Sequence, residues 1–295
     1  MTVVRIEFAE TFRLLQECTT AIRSGQATAL TYVQRGGAYR RLHSLAAAVE
    51  DYGTAITFEA PLDPAHLAQA HDSRGECYRE LSRYAEAIAD GELAVRLALD
   101  QSRYRMNLGH VRYWAGDYQG ALADLNRAIE LNPAEGWAYG YRGRVYVALN
   151  DELHAIADFS KAIEANRVEP LLYGWRADAY LRLGGYREAE ADCTTGLGLD
   201  PSDWRLWACR GWARYEGMGG FEGALSDFVQ SLKLSADPDP HLGRALVYHA
   251  LGAENAAAID FSAFVARHPA GAVAGVKEVA AILAKLNAPP VAVSV

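Results

Sequence analysis

Trp137-Ala-Tyr-Gly-Tyr-Arg-Gly-Arg-Val-Tyr146 and, nine residues further on, Ala155-Ile-Ala-Asp-Phe-Ser-Lys-Ala162 decide how this chain is read. The first segment lies in one expected helix, about Gly136 to Leu149, and the second in another, about Leu153 to Ala165. Asn150-Asp151, a turn-forming pair, separates them. The same design recurs in strides of about 34 residues. Ala155 has counterparts at Ala48, Ala87, Ala121, Ala189, Ala224 and Ala257. Twelve residues before it, Gly143 has counterparts at Gly36, Gly75, Gly109, Ala177, Gly211 and Ala245, the spacing being 13 in the sixth copy. Three residues after each alanine stands an acid: Asp51, Asp90, Asp124, Asp158, Asp192, Asp227 and Asp260. A period in this range predicts stacked helical hairpins that together present one long concave surface.

The copies begin near Ala29, Ala68, Ser102, Gly136, Pro170, Trp204 and Pro238, so residues 29–271 read as seven repeats. Further turns between the two helices of a copy are expected at Gly116-Asp117, Gly184-Gly185 and Gly217-Met218-Gly219-Gly220. Pro133, Pro201 and Pro269 mark the ends of second helices, because proline cannot extend a helix. A spacer, Pro61-Leu62-Asp63-Pro64-Ala65, lengthens the first junction and is expected to bend the stack there. Residues 1–28 hold an unpaired second helix, with Leu14, Cys18, Ala21 and Ile22 at core positions. Residues 272–287 are expected to form a capping helix, and 288–295 a disordered tail.

Composition narrows the function. A net charge of −8 argues against nucleic acid as the main partner, which needs a basic stripe. No apolar run of membrane-spanning length occurs, and the N-terminus has no signal-peptide pattern, so a cytoplasmic protein without membrane insertion is expected. Cys18, Cys77, Cys193 and Cys209 lack metal-ligand spacing and read as reduced thiols. No P-loop, GxGxxG, HExxH or GxSxG motif is present, so neither catalysis nor a cofactor is expected.

The quoted residues resemble the tetratricopeptide repeat family over nearly the whole chain. Counted from each copy's start, positions 8 and 20 are small throughout and position 27 nearly so, and position 11 is usually aromatic, as in Tyr39, Tyr78, Tyr146, Tyr180 and Tyr248. Arg112 and Arg214 at position 11, and Phe264 at position 27, depart from this and imply local repacking. The resemblance implies an all-α, right-handed solenoid of helix-turn-helix repeats with terminal capping helices. Glycine inside a helix costs about 1 kcal/mol against alanine. Its recurrence at position 8 is tolerable where the second helix approaches too closely for a β-carbon.

Position 7 is arginine in six copies (Arg35, Arg74, Arg142, Arg176, Arg210, Arg244) and position 23 is aspartate in all seven. A ladder of Arg–Asp pairs between the two helices is expected, removal of one partner costing about 3–5 kcal/mol. The third copy has Leu108 at position 7, so Asp124 is expected to lean on a neighbour such as Arg142.

In the family the inner groove is lined by the first helix of each copy. Trp114, Trp137, Trp175 and Trp212 fall on groove positions, joined by Tyr113, Tyr141 and Tyr215. Around a floor of Gly140, Gly174 and Ala208 they suggest an aromatic pocket in copies three to six, bordered by Arg103, Arg144, Arg182 and Arg205. Position 9 runs Glu76, His110, Arg144, Asp178 through the middle copies, which reads equally as recognition or as a chain of ion pairs between repeats. Asn107 alone matches a slot of the family's clamp for a chaperone's C-terminal carboxylate, with Met106 and His110 where lysine and asparagine belong, so that role is not expected. His110 beside Arg144 and Asp178 is the one conceivable base. The expected function is a non-catalytic scaffold or adaptor binding a protein or peptide segment with an apolar or aromatic body and an acidic group. The alternative is a small-molecule or hydrophobic-ligand binder, or an enzyme accessory, using the same pocket.

Overall fold

The computed structural model describes residues 2–237, 239–267, 282 and 284, and these contain fifteen helices and no strand. The chain divides into two compact units, Met1–Asn150 and Asp151–Val295. The first holds α1 (Thr2–Arg23), α2 (Ala29–Arg41), α3 (Leu45–Ile56), α4 (Pro64–Glu80), α5 (Tyr84–Leu97), α6 (Ser102–Trp114), α7 (Tyr118–Leu131) and α8 (Gly136–Ala148). The second holds α9 (Glu152–Ala165), α10 (Pro170–Arg182), α11 (Tyr186–Leu199), α12 (Trp204–Met218), α13 (Phe221–Leu234), α14 (Asp239–Ala250) and α15 (Glu254–Arg267).

Hairpins form as α2·α3, α4·α5 and α6·α7 in the first unit and as α10·α11, α12·α13 and α14·α15 in the second. Each second helix also packs on the next copy's first helix within its unit. First helices touch one another in sequence, α2 to α4 to α6 to α8 and α10 to α12 to α14, whereas neighbouring second helices do not. Within each unit the first helices therefore line the inner, concave side of the curve.

Small residues make the hairpins tight. A β-carbon added at Gly75 would lie 3.2 Å from the Ala87 carbonyl oxygen. One at Gly109 would meet the Ala121 carbonyl oxygen at 3.2 Å and Leu125 Cγ at 2.6 Å. The alanines at position 20 are fully buried opposite them. Between copies the gaps are filled by large residues, including Leu108, Leu125, Phe159, Leu206 and Phe228.

The turn inside each copy needs one left-handed residue: His43 (φ 55), Ser82 (φ 59), Gly116 (φ 79), Asn150 (φ 58), Gly184 (φ 73), Gly219 (φ 57) and Gly252 (φ 72). Left-handed backbone costs a residue with a β-carbon about 1–2 kcal/mol, part of which glycine returns as unfolded-chain entropy. His43→Gly and Ser82→Gly are each expected to stabilise the protein by about 0.5–1 kcal/mol, read as a rise in thermal midpoint. An unchanged or lower midpoint in both would contradict this account of the turn.

Two boundaries and one set of core residues differ from the sequence reading. Pro64 and Ala65 belong to α4 and not to a spacer, because Asp63 caps the helix by accepting from the His66 amide (3.0 Å) and proline fits the first helical position. In the sixth copy Gly217 and Met218 extend α12, so the turn shortens to Gly219-Gly220. In the N-terminal helix only Cys18 of the four expected core residues is buried. The expected capping helix and tail lie outside the described residues except Ile282 and Ala284; Ile282 packs on Phe261, Phe264 and their neighbours.

The ladder is present, and in five copies the position-7 arginine closes on the aspartate of the same copy. Arg35–Asp51, Arg74–Asp90, Arg176–Asp192, Arg210–Asp227 and Arg244–Asp260 are bidentate, through Nε and Nη2, at 2.6–2.9 Å. All seven position-23 aspartates are buried. The remaining guanidinium nitrogen reaches back to the preceding copy: Arg142 Nη1 to Asn126 (2.7 Å), Arg176 Nη1 to Ser160 (2.9 Å) and Arg210 Nη1 to Thr194 (3.3 Å).

Two expectations about this ladder are corrected. Asp124 accepts from Arg105 (2.7 Å) and lies 3.1 Å from Arg112 Nη1, with Arg142 turned to Asn126 instead. Leu108 stands at position 7 because it packs against Gly91 and a cluster of Ala68, Ala94, Val95 and Tyr104. Arg112 and Arg214 are not merely repacked. Arg214 donates to Asp227 (2.9 Å) and to Glu190 (2.7 Å), and Arg112 also donates to Glu92 (3.0 Å), so each adds a link to the previous copy.

Candidate binding surface

The expected groove residues come from both units. In the first, α6 and α8 carry them on their inner faces. Arg144 lies over the Tyr113 ring (4.5 Å) and the Trp114 ring (5.2 Å) and donates from Nη2 to the Tyr113 hydroxyl (3.1 Å). Trp114 is 44% exposed. Its Nε1 donates to His110 Nε2 (2.9 Å), and His110 stacks on Tyr141, ring centres 4.0 Å apart. Tyr141 in turn meets Trp137 at 5.8 Å. Tyr113, Trp137 and Tyr141 also pack against the buried cluster around Met106 and Leu125.

In the second unit, Trp175 packs on Phe159 (5.9 Å), while Trp212 packs on Phe228 (5.3 Å) and meets Tyr215 (6.0 Å). Asp178 and Arg182 are exposed and pair with each other at 3.2 Å, one helical turn apart. Arg205 is exposed and lies over Trp204 at 4.9 Å. Six of the predicted aromatics, Tyr113, Trp137, Tyr141, Trp175, Trp212 and Tyr215, are thus half-buried against their own hairpins and neighbours. Trp114 offers the most open ring.

His110 is neither a base nor an ion-pair link. Burial pushes its imidazole down to about 3, with the Arg79 and Arg144 charges adding to the effect. It is therefore neutral at physiological pH, and its Nε2 is occupied by the indole. Glu76 pairs along its own helix with Arg79 (3.1 Å), so the sign-alternating chain of ion pairs is interrupted at His110.

A polar cavity of about 310 Å³ opens on the inner side of α2, α4 and α6, which sequence reasoning did not single out. Gln69, Asp72, Ser73 and Glu76 supply one face of α4; Arg103 and Asn107 lie across from it on α6, and Arg40 stands at the rim on α2. Asn107 Nδ2 donates to Asp72 Oδ1 (2.9 Å), and Arg103 Nε lies 3.9 Å from Asp72 Oδ2. Burial pushes the Asp72 carboxyl up to about 6, against the pull of Asn107 and Arg103. The available signal was that positions 2, 5, 6 and 9 of the second copy are all polar.

The tetratricopeptide repeat family matches residues 102–135, 138–169 and 171–203. Residues 102–203 are tetratricopeptide repeats. The remaining copies of the chain carry the same small seams and ladder residues. Among solved structures it is similar to a tetratricopeptide repeat protein from Parabacteroides merdae, with 21% identity over 88% of this chain and 98% of that one and a TM-score of 0.63. It is also similar to a chain of the APC/C hetero-tetramer Cut9–Hcn1, with 15% identity, 94% and 53% coverage and a TM-score of 0.72; this chain spans about half of that one. The type IV pilus biogenesis factor PilW matches with 16% identity, 72% and 98% coverage and a TM-score of 0.65. No curated protein sequence matches significantly. Among the described residues no helix is long and apolar enough to cross a membrane.

Proposed function

We propose that the protein is an interaction scaffold whose inner helix faces bind a segment of a partner protein. The observation that carries this reading is Trp114, a large ring 44% exposed on the inner face of α6 and braced by Arg144 and His110. A tryptophan held rigid beside arginine is the kind of residue on which binding energy concentrates. Arg103 supplies exposed charge on the same helix, and in the second unit Arg205 and the Asp178–Arg182 pair do so on first helices, suited to partner groups that are acidic beside an apolar body.

Affinity capture from native lysate tests this reading, with wild type, Trp114→Ala, Arg205→Glu and an outer-face control, Ile259→Ser, as baits. Ile259 is 71% exposed on the second helix α15. A protein retained by wild type and control but depleted at least ten-fold by Trp114→Ala supports the groove. A partner lost only from Ile259→Ser, or recovered equally by all four baits, overturns it.

A further inference from the structure

The polar cavity between α4 and α6 lacks donors where it holds acceptors. Asp72 is 9% exposed, and Oδ1 alone accepts a hydrogen bond; Oδ2 receives none, Arg103 Nε being too distant at 3.9 Å. One turn along α4, Glu76 gives Oε2 to Arg79 (3.1 and 3.2 Å), and its Oε1 is wholly buried with no donor at all. A buried acceptor without a donor costs about 1–3 kcal/mol, more when charged. Asn107 commits its amide N–H to Asp72, which leaves its oxygen to accept.

We propose that this cavity takes a primary ammonium group, supplied by a lysine side chain of a bound partner segment. The proposal rests on the groove reading and names a contact within it. An ammonium carries three donors and no acceptor; Asp72 Oδ2 and Asn107 Oδ1 can accept from it, and the Glu76 carboxylate lining the same cavity adds negative charge. The cavity volume is at the lower end for a ligand site, suited to a side chain. Among the described residues no group of three or more His, Cys, Asp or Glu gathers as a metal site would need, which favours an organic cation. Arg103, 54% exposed, and Arg40 stand at the rim, where the carbonyl oxygens flanking a lysine would meet them. A carboxylate would instead be set against the Asp72 and Glu76 carboxylates that line the cavity.

The test is titration of the full chain with Ac-Gly-Lys-Gly-NH2, its norleucine and glutamate counterparts, and cadaverine, following the Asn107 side-chain amide by NMR. Saturable shifts are expected with the lysine peptide, at least ten-fold tighter than with norleucine or glutamate, and weakened at least ten-fold by Asp72→Asn and by Glu76→Gln. Circular dichroism confirms that the variants fold. Arg40, on α2, Glu76, on α4, and Arg103, on α6, face Asp72 from the packed elements. Because Asp72 must be ionised to hold a cation, lysine affinity is expected to fall about four-fold from pH 7.5 to 5.5, following its ionised fraction. Equal binding of norleucine or glutamate, no shift with the lysine peptide, or indifference to both variants overturns the proposal. Tighter binding of cadaverine overturns the assignment to a peptide segment. Failure here with the Trp114-dependent partner retained leaves the scaffold reading standing; loss of that dependence alone removes the scaffold reading and not the ammonium site.

Discussion

Replacing Asp227 with alanine is expected to destabilise the unit Asp151–Val295 by about 3–5 kcal/mol, a large part of the roughly 5–15 kcal/mol that holds a typical domain together. Asp227 is 1% exposed and is the common acceptor of Arg210 (2.9 and 2.8 Å) and Arg214 (2.9 Å). Its removal strands two half-buried guanidinium groups between helices. Urea denaturation followed by circular dichroism gives the number directly, and a loss below about 1 kcal/mol would show that the ladder is ornamental. Asp124→Asn makes an internal comparison. There Asp124 Oδ2, Arg105 Nε and Arg112 Nε are buried without hydrogen bonds, and burial pushes the carboxyl up despite both arginines. A rung already reluctant to carry charge loses less on neutralisation, about 1 kcal/mol. At Asp90 burial pushes the carboxyl up, but Arg74 and His71 outweigh it and hold it below the usual range. A folded-state value below the unfolded one gives stability that is present above the unfolded value and lost as pH falls through the folded one. This rung therefore contributes to unfolding in acid, and Asp90→Asn is expected to flatten the acid limb.

Gly109→Val carries the second large effect, about 2–3 kcal/mol of destabilisation by overpacking. Helix propensity alone predicts a small gain, since valine forms helix better than glycine. The seam decides otherwise. The new β-carbon would lie 2.6 Å from Leu125 Cγ and 3.2 Å from the Ala121 carbonyl oxygen, and backbone cannot yield as a flexible side chain can. Thermal denaturation separates the two accounts: a raised midpoint favours propensity, a fall of several degrees favours the close approach.

The hairpins were legible because their determinants repeat. Small residues at positions 8 and 20 recur in all seven copies and the Arg and Asp of the ladder in six, imposed by one local geometry, so a single chain acts as its own comparison. The seven left-handed turn residues obey the same rule, although His43 and Ser82 hide it behind unfavourable side chains. What repeats only in part was misread. Arg112 and Arg214 look like substitutions for an aromatic ring, and only their position in space reveals a second cation beside the ladder aspartate. The α4–α6 cavity was invisible for a different reason. Polar groove residues have one signature whether solvated or buried, and a missing donor is a property of packing that no side-chain list contains. Counting tryptophans drew attention to rings that the fold largely uses for itself, with Trp114 the exception.

The closure of six rungs inside their own copies bears on how such a chain can change length. In the six copies with Asp51, Asp90, Asp124, Asp192, Asp227 and Asp260, the buried acid finds its arginine in the same hairpin. The links that cross to the previous copy end on uncharged Asn126, Ser160 and Thr194, or on the partly exposed Glu92 and Glu190. Among those six copies, duplicating or deleting one whole hairpin therefore strands no buried charge of the ladder at the new junction. Growth and loss by recombination are open to this gene at little electrostatic penalty, whereas a cut through the middle of a hairpin is not.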